Sequence, residues 1–334
     1  MKNALINFGL LIVSFIIIAL ALEVLIRIFN PMQDSMKWFK SSKSYGYELK
    51  KNFSQNYKYL ESSNEFVMRV KTNSFGHRYK EYDTSKFSND KYKKIMLLGD
   101  SFIFGHGVNM EDHMAHILDS LLMIEKNEGF VVINAGVGGW GTIQQVNYAI
   151  DNFTLFNPDF IFMFFCANDP LDDIRFNAGM RDNEKGLLYF PGKIFLRNNS
   201  HLYRFLFIKF KILLHQFLID RKIKEKNVLF NRQSGAVITD KDWENTERTI
   251  KNFSKKFKSF NKSGKLWISS TAPWDEKIRT KLKNISKDNK NLFFVDLYDE
   301  TVNLSRMERR LPHDGHWSKL MHKKFAEKIN TILN

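Results

Sequence analysis

Ile95-Met96-Leu97-Leu98-Gly99-Asp100-Ser101-Phe102 is the stretch from which the rest of this 334-residue chain is best read. Four apolar residues run without interruption into Gly-Asp-Ser. Such a run fits a strand buried on both faces of a parallel sheet, ended by turn residues. Ser101 then stands at the carboxyl end of a strand, where open α/β sheets gather their chemistry. Gly, Asp and Ser are also ordinary surface-turn residues, so these eight residues alone allow a bland turn. Three later stretches separate the two readings.

From Lys94 onward short apolar runs alternate with helical ones, the pattern of βα units and a parallel sheet. Strands are expected at 95–98, 131–133, 160–165, 266–269 and 292–297. Helices are expected at 113–125, from Thr142 as N-cap, and at 243–260, 275–288 and 319–333. The second strand leads into Asn134-Ala135-Gly136-Val137-Gly138-Gly139-Trp140-Gly141 and the third into Cys166-Ala167-Asn168-Asp169-Pro170. The fifth precedes a loop with Leu311-Pro312-His313-Asp314-Gly315-His316-Trp317-Ser318.

Acyl transfer by a serine needs a nucleophile, a base, a group that orients the base, and donors aimed at the oxyanion. Ser101 is the candidate nucleophile. The glycine-rich turn lets backbone N–H groups approach a substrate closely. Asn168 offers a side-chain N–H, and His316 can take the proton of Ser101. All four follow sheet strands, so one rim can gather them.

Together these stretches resemble the SGNH (GDSL-type) hydrolase superfamily over 94–334, with 171–240 outside the likeness as an insertion. The matching blocks are Gly99-Asp100-Ser101, the glycine of the 134–139 turn, Asn168-Asp169 and the histidine loop. The resemblance implies a three-layer α/β/α, flavodoxin-like fold with a mainly parallel five-stranded sheet. It implies Ser101 as nucleophile, His316 as general base, and an oxyanion hole of the Ser101 N–H, the Gly139 N–H and the Asn168 side chain. Gly139 sits five residues after Asn134, as the family's glycine does; Gly138 competes. The family's usual aspartate position, three before the histidine, holds His313 here. Asp314 lies two before it, and residues two apart in an extended segment share a side. Asp314 is therefore expected to orient His316, and without it a Ser–His dyad remains. The D-x-H spacing is similar to alginate O-acetyltransferase-like members of the superfamily.

Residues 4–22 are nineteen residues without a charge, roughly 28 Å of helix and close to the thickness of a bilayer's hydrocarbon layer. The apolar pattern continues to 29, so 4–29 is expected as a transmembrane anchor. A cleaved signal peptide ending at Ala19-Leu20-Ala21 is the rival. Only Lys2 precedes the span, while Arg27, Lys37, Lys40 and Lys43 follow it; by charge alone the body would be cytoplasmic. The resemblance to extracytoplasmic polysaccharide enzymes favours a single-pass protein with its catalytic domain outside. Residues 30–92 are an approach segment packed on the core, and 93–334 the hydrolase-like domain. Within 30–92, His77 and Arg78 are candidates to face the site, and a structural role is the expectation for both.

Net charge is +15 and hydrophobic residues make up 43%, which excludes global disorder and suits an anionic lipid or glycan surface. The lysines are scattered and no nucleic-acid module is visible, so no nucleic acid is expected. The one cysteine, Cys166, cannot form an internal disulfide. His313-x-x-His316 with Asp314, and His113-x-x-His116, lack a third ligand at a recognisable spacing; no metal and no cofactor are expected. Residues 202–219 read as a helix with Arg204, Lys211 and His215 on one stripe: an interfacial helix, a lid, or a core-packed helix with its basic stripe in water. The expected function is a serine-dependent carboxylic ester hydrolase. The alternatives are an O-acetyltransferase acting on a cell-surface polysaccharide, and a non-catalytic glycan- or partner-binding protein. The expected partners are membrane lipid, through the N-terminal helix, and an ester or acylated glycan substrate.

Overall fold

The computed structural model describes residues 2–29, 36–61, 63–125, 129–177, 190–222, 229–231, 236–238, 240–312 and 314–334. Helix α1 (Lys2–Phe29) leads to two hairpins, β1 (Phe39–Ser42) with β2 (Gly46–Leu49) and β3 (Ser54–Glu61) with β4 (Ser63–Lys71). Then come β5 (Tyr92–Leu98), α2 (Ser101–Phe104), α3 (Met114–Glu125), β6 (Gly129–Asn134), α4 (Thr142–Asp151), α5 (Phe153–Phe156) and β7 (Phe160–Phe165). Next come α6 (Asp169–Asn177), α7 (Lys193–Asn199), α8 (His201–Lys222), β8 (Leu229–Asn231) and β9 (Ala236–Ile238). The chain closes with α9 (Asp240–Phe260), β10 (Lys265–Ser270), α10 (Glu276–Lys287), β11 (Leu292–Phe294), α11 (Tyr298–Thr301), α12 (Arg306–Arg309) and α13 (Lys319–Leu333).

Five strands form one wholly parallel sheet in the order β11-β10-β7-β5-β6. The connection from β5 to β6 runs one way across the sheet and that from β6 to β7 runs back. Right-handed crossovers then put α3 and α4 on opposite faces. Consistently, α3 packs on α13 and α4 on α9, while α9 meets the end of α10 through Ser254 and Asn289. This is a three-layer α/β/α architecture. The order reverses beside β5, so the residues after β5 lie at the switch point of a doubly wound sheet.

The apolar run that opened the reading is the sheet's centre: Ile95, Met96, Leu97 and Leu98 are each 0% exposed. Burying side chains of this size contributes about 1.5–3 kcal/mol apiece. A second, aromatic core joins Trp38, Tyr47, Tyr57 and Met68 to Phe104, Val137 and Trp140, packing the approach segment onto the loops that follow β5 and β6.

Two expectations change. The last strand ends at Phe294 rather than 297, because Asp296 turns to Arg279 at 2.8–2.9 Å and Tyr298 starts α11. Gly141, not Thr142, is the N-cap of α4; the Thr142 hydroxyl instead donates to Asp169 Oδ2 at 3.2 Å. On α8 the half-buried Arg204 turns to the Arg197 carbonyl at 3.3 Å. Leu206, Phe210 and Leu213 face out. The side chains of Lys211 and His215 lie outside the described residues. Asn3–Phe29 is the one described helix long and apolar enough to cross a membrane, a test that a signal sequence near the N-terminus also passes.

Candidate active site

Ser101 opens α2 directly after β5. Asp100 caps that helix by accepting from Phe102 N–H at 3.0 Å, and burial pushes its carboxyl up. Gly105 ends the helix at φ +81°, a left-handed conformation that a side chain would strain, and its N–H returns to the Ser101 carbonyl at 3.1 Å. The Ser101 side chain is thus held at the carboxyl edge of the sheet between two caps.

His316 approaches from the other end of the chain. Its loop is pinned by a bridge between Arg310 and Trp317 and by the fully buried Trp317, whose indole N–H donates to Thr271 O at 2.7 Å. His316 Nε2 lies 2.7 Å from Ser101 Oγ. Its Nδ1 is hydrogen-bonded to Asp314 Oδ1, and its backbone N–H donates to the same oxygen at 3.3 Å. A proton on Nδ1 facing the carboxylate leaves the Nε2 lone pair toward the serine. The Ser101 hydroxyl also lies 3.4 Å from Asp100 Oδ2, a weaker alternative acceptor.

His106 joins this site without having been among the expected site residues. Its Nε2 lies 3.6 Å from Asp314 Oδ2, and its ring centroid 4.6 Å from that of His316. Tyr57, Tyr59 and Phe66 of the β3–β4 hairpin surround it. Burial pushes His106 below the usual imidazole range, against the pull of Asp314. Burial alone would raise Asp314; its interactions with His106 and His316 instead hold it well below the usual carboxylate range. Arg78 fixes the loop that carries His106. Its buried guanidinium donates to the carbonyls of Phe104 at 3.0 Å, Gly105 at 2.5 Å and Val108 at 2.6 Å, and desolvation lowers its pKa only to about 10, so it stays charged.

The glycine turn stands on the other side of Ser101. A methyl group on Gly138 would lie 3.8 Å from Ser101 Cβ and 3.6 Å from Phe39 Cζ. The Gly138 carbonyl accepts from the Tyr47 hydroxyl at 2.9 Å. Gly139 follows at φ +77°. Half-buried Asn168 receives the Cys166 thiol on Oδ1 at 2.7 Å and donates one amide proton to Asp172 Oδ2 at 2.7 Å; its second amide proton is chemically available. Asp169 takes Thr142 and Gln145 onto Oδ2 at 3.2 and 3.4 Å, tying this loop to α4.

His113 and His116 separate: His113 is buried against the Ile103 carbonyl at 2.9 Å, whereas His116 is half-exposed. His77, also buried, bridges the hydroxyls of Tyr82 at 2.9 Å and Tyr148 at 2.6 Å. His313 lies outside the described residues. Among the described residues, His106, Asp314 and His316 offer three potential metal-ligand atoms within 4.8 Å of one another, a trio different from those the spacing suggested.

The fold and these contacts define a doubly wound α/β protein with a Ser–His–Asp constellation at its sheet's carboxyl edge. No family model and no curated protein matches the chain. Among solved structures it is similar to a Clostridium thermocellum family 3 carbohydrate esterase, at 17% identity over 72% of this chain and 98% of the other, TM-score 0.43. A lipase/acylhydrolase from Enterococcus faecalis matches at 15% identity over 72% and 95%, TM-score 0.42. A two-domain esterase active on acetylated mannans matches at 15% identity over 72% and 48%, TM-score 0.43.

Proposed function

We propose that this chain is a serine-dependent carboxylic ester hydrolase. The observation that carries the reading is the 2.7 Å contact between Ser101 Oγ and His316 Nε2, with Asp314 on the far nitrogen. Ser101 Oγ attacks the acyl carbonyl as His316 Nε2 takes its proton. The oxyanion is received by the N–H groups of Ser101 and Gly139 and by the free amide proton of Asn168. His316 returns the proton to the departing alcohol oxygen, leaving an acyl ester on Ser101. Water, deprotonated by His316, then releases the acid and restores the serine. In this reading 4–29 tethers the catalytic domain to a membrane, with that domain on the extracytoplasmic side.

Hydrolysis of p-nitrophenyl acetate by the full chain in mild detergent tests the proposal. Ser101→Ala is expected to abolish turnover above background while leaving the fold intact by circular dichroism; equal rates would reject Ser101 as nucleophile. The same residues serve an O-acetyltransferase when a sugar hydroxyl replaces water. Acetate transferred to an added anionic polysaccharide, in place of free acetate, would identify that activity.

A further inference from the structure

Residues 190–213 present large apolar side chains that are exposed among the described residues. Phe190, Ile194, Phe195, Leu206, Phe210 and Leu213 are between 38% and 68% exposed. At about 100° per residue, Leu206, Phe210 and Leu213 form one stripe along α8. Ile194 and Phe195 belong to α7, which packs on α8. Single exposed apolar residues are ordinary, but a cluster on two neighbouring helices marks a contact surface.

Helix α1 identifies what covers it. The Glu23 carboxylate accepts from the Ser200 hydroxyl at 2.8 Å and from the N–H groups of His201 at 2.9 Å and Leu202 at 2.8 Å. These are open donors at the start of α8, capped by a side chain from a different helix. Arg27 pairs with Glu23 at 2.6 Å and donates to the Asn199 carbonyl at 2.5 Å. Ala19, Glu23 and Ile26, one face of α1, are its half-buried residues. The other described side chains of α1 stay uncovered. Glu23 precedes the helix end at Phe29 by about 9 Å, a depth that matches the headgroup–acyl boundary of a bilayer. The insertion's apolar side chains therefore begin where α1 would leave the lipid. Lys193, Arg197 and Lys209 lie among them, in a chain of net charge +15, as suits anionic headgroups.

We propose that the exposed face of α7 and α8 lies in the interfacial layer of an anionic bilayer, so that the catalytic domain is held to the membrane at two places. This rests on α1 being a retained membrane span; it is independent of the ester chemistry. Cys166 is 7% exposed, so an introduced surface cysteine takes a spin label selectively. Phe195→Cys and Leu206→Cys are compared with Ile17→Cys on α1 and Lys262→Cys on the loop before β10. The protein is the full chain in nanodiscs containing phosphatidylglycerol. Oxygen concentrates in lipid and a nickel chelate in water. Labels at 195 and 206 are expected to resemble 17, with at least several-fold higher relative oxygen accessibility than at 262. Nickel accessibility equal to that at 262 would place the face in water and overturn the proposal. Protection from both reagents would show a protein covering it and do the same. A water-exposed label at 17 would remove the span itself, and the proposal with it. Intact p-nitrophenyl acetate turnover in the same samples shows that the failure lies in membrane contact and not in the ester chemistry.

Discussion

His106 Nε2 lies 3.6 Å from Asp314 Oδ2, the oxygen that His316 does not use. The carboxylate is therefore approached by an imidazole at each oxygen. Asp314 sits on a short loop, and the two imidazoles together fix the rotation of its carboxylate. His106, 6% exposed within its aromatic surround, orients that carboxylate and lies with its ring centroid 4.6 Å from that of His316, so it acts on the reaction through these two residues. It is a positioning residue. We expect His106→Phe to lower kcat about 10-fold, from the loss of a close polar contact to a charged group, with KM nearly unchanged. His106→Gln, which keeps an N–H donor, should recover part of the loss. A change in KM alone would contradict the assignment.

Gly138 and Gly139 are neighbours with opposite constraints. Gly138 faces Ser101 with room for a methyl at ordinary contact distance, 3.6 Å or more from its neighbours. Gly139 has φ +77°, where any side chain is strained. Gly138→Ala is expected to keep the melting temperature but to crowd the acyl group beside Ser101, reducing kcat/KM for bulky esters more than for acetate. Gly139→Ala should cost about 1 kcal/mol of stability. Thermal melts beside kinetics on acetate and butyrate esters separate the two effects.

The legible parts of this chain are those where one-dimensional pattern has few solutions. An unbroken apolar run ending in Gly-Asp-Ser can be buried in few ways, and β5 is where the run put it. Ser101 and His316 stand 215 residues apart, yet each follows a strand or precedes the last helix, and a parallel sheet collects such loops on one edge. His106 was not legible, because Gly-His-Gly reads as a loop. What aims it is Arg78 drawing three carbonyls together, a contact between segments far apart in sequence. The one signal was the Tyr57–Tyr59 alternation, two residues on one strand face, with Phe66 paired to Tyr59 across the hairpin. For α8, helical period gives two stripes, and the Glu23 cap shows how the start of the helix sits.

The trio His106, Asp314 and His316 makes a sharp test between proton transfer and metal chemistry. A metal bound there would compete for the nitrogen by which His316 meets Asp314. If the serine mechanism holds, prolonged chelation leaves ester turnover unchanged. Asp314→Asn would then reduce kcat by about 1,000-fold or more, by losing the imidazole's correct tautomer and the charge that stabilises its protonated form. Loss of turnover on chelation, restored by a divalent ion, would replace the triad with a metal site.

Acid should unfold this protein through its buried histidines. His77, His106, His113 and His322 are buried, and desolvation lowers the pKa of each, for His77 and His113 to about 3. A folded-state pKa below the unfolded value near 6.5 means that the native state disfavours the proton. Their contribution to stability is full above about pH 6.5 and falls as pH drops toward the folded values, by about 1.4 kcal/mol per pH unit for each histidine. At pH 5 the loss is about 2 kcal/mol for His77 and again for His113. Asp314, whose pKa is depressed, adds a loss of the same sign only below about pH 4. The urea midpoint of the full chain in detergent, followed by tryptophan fluorescence, should therefore fall between pH 7 and 5, opposed in part by the Asp100 and Asp169 carboxyls, which burial pushes up. His77→Gln should flatten that slope by about one proton's worth even if it lowers the midpoint at pH 7. A midpoint independent of pH across this range would mean that these imidazoles are not held neutral by burial.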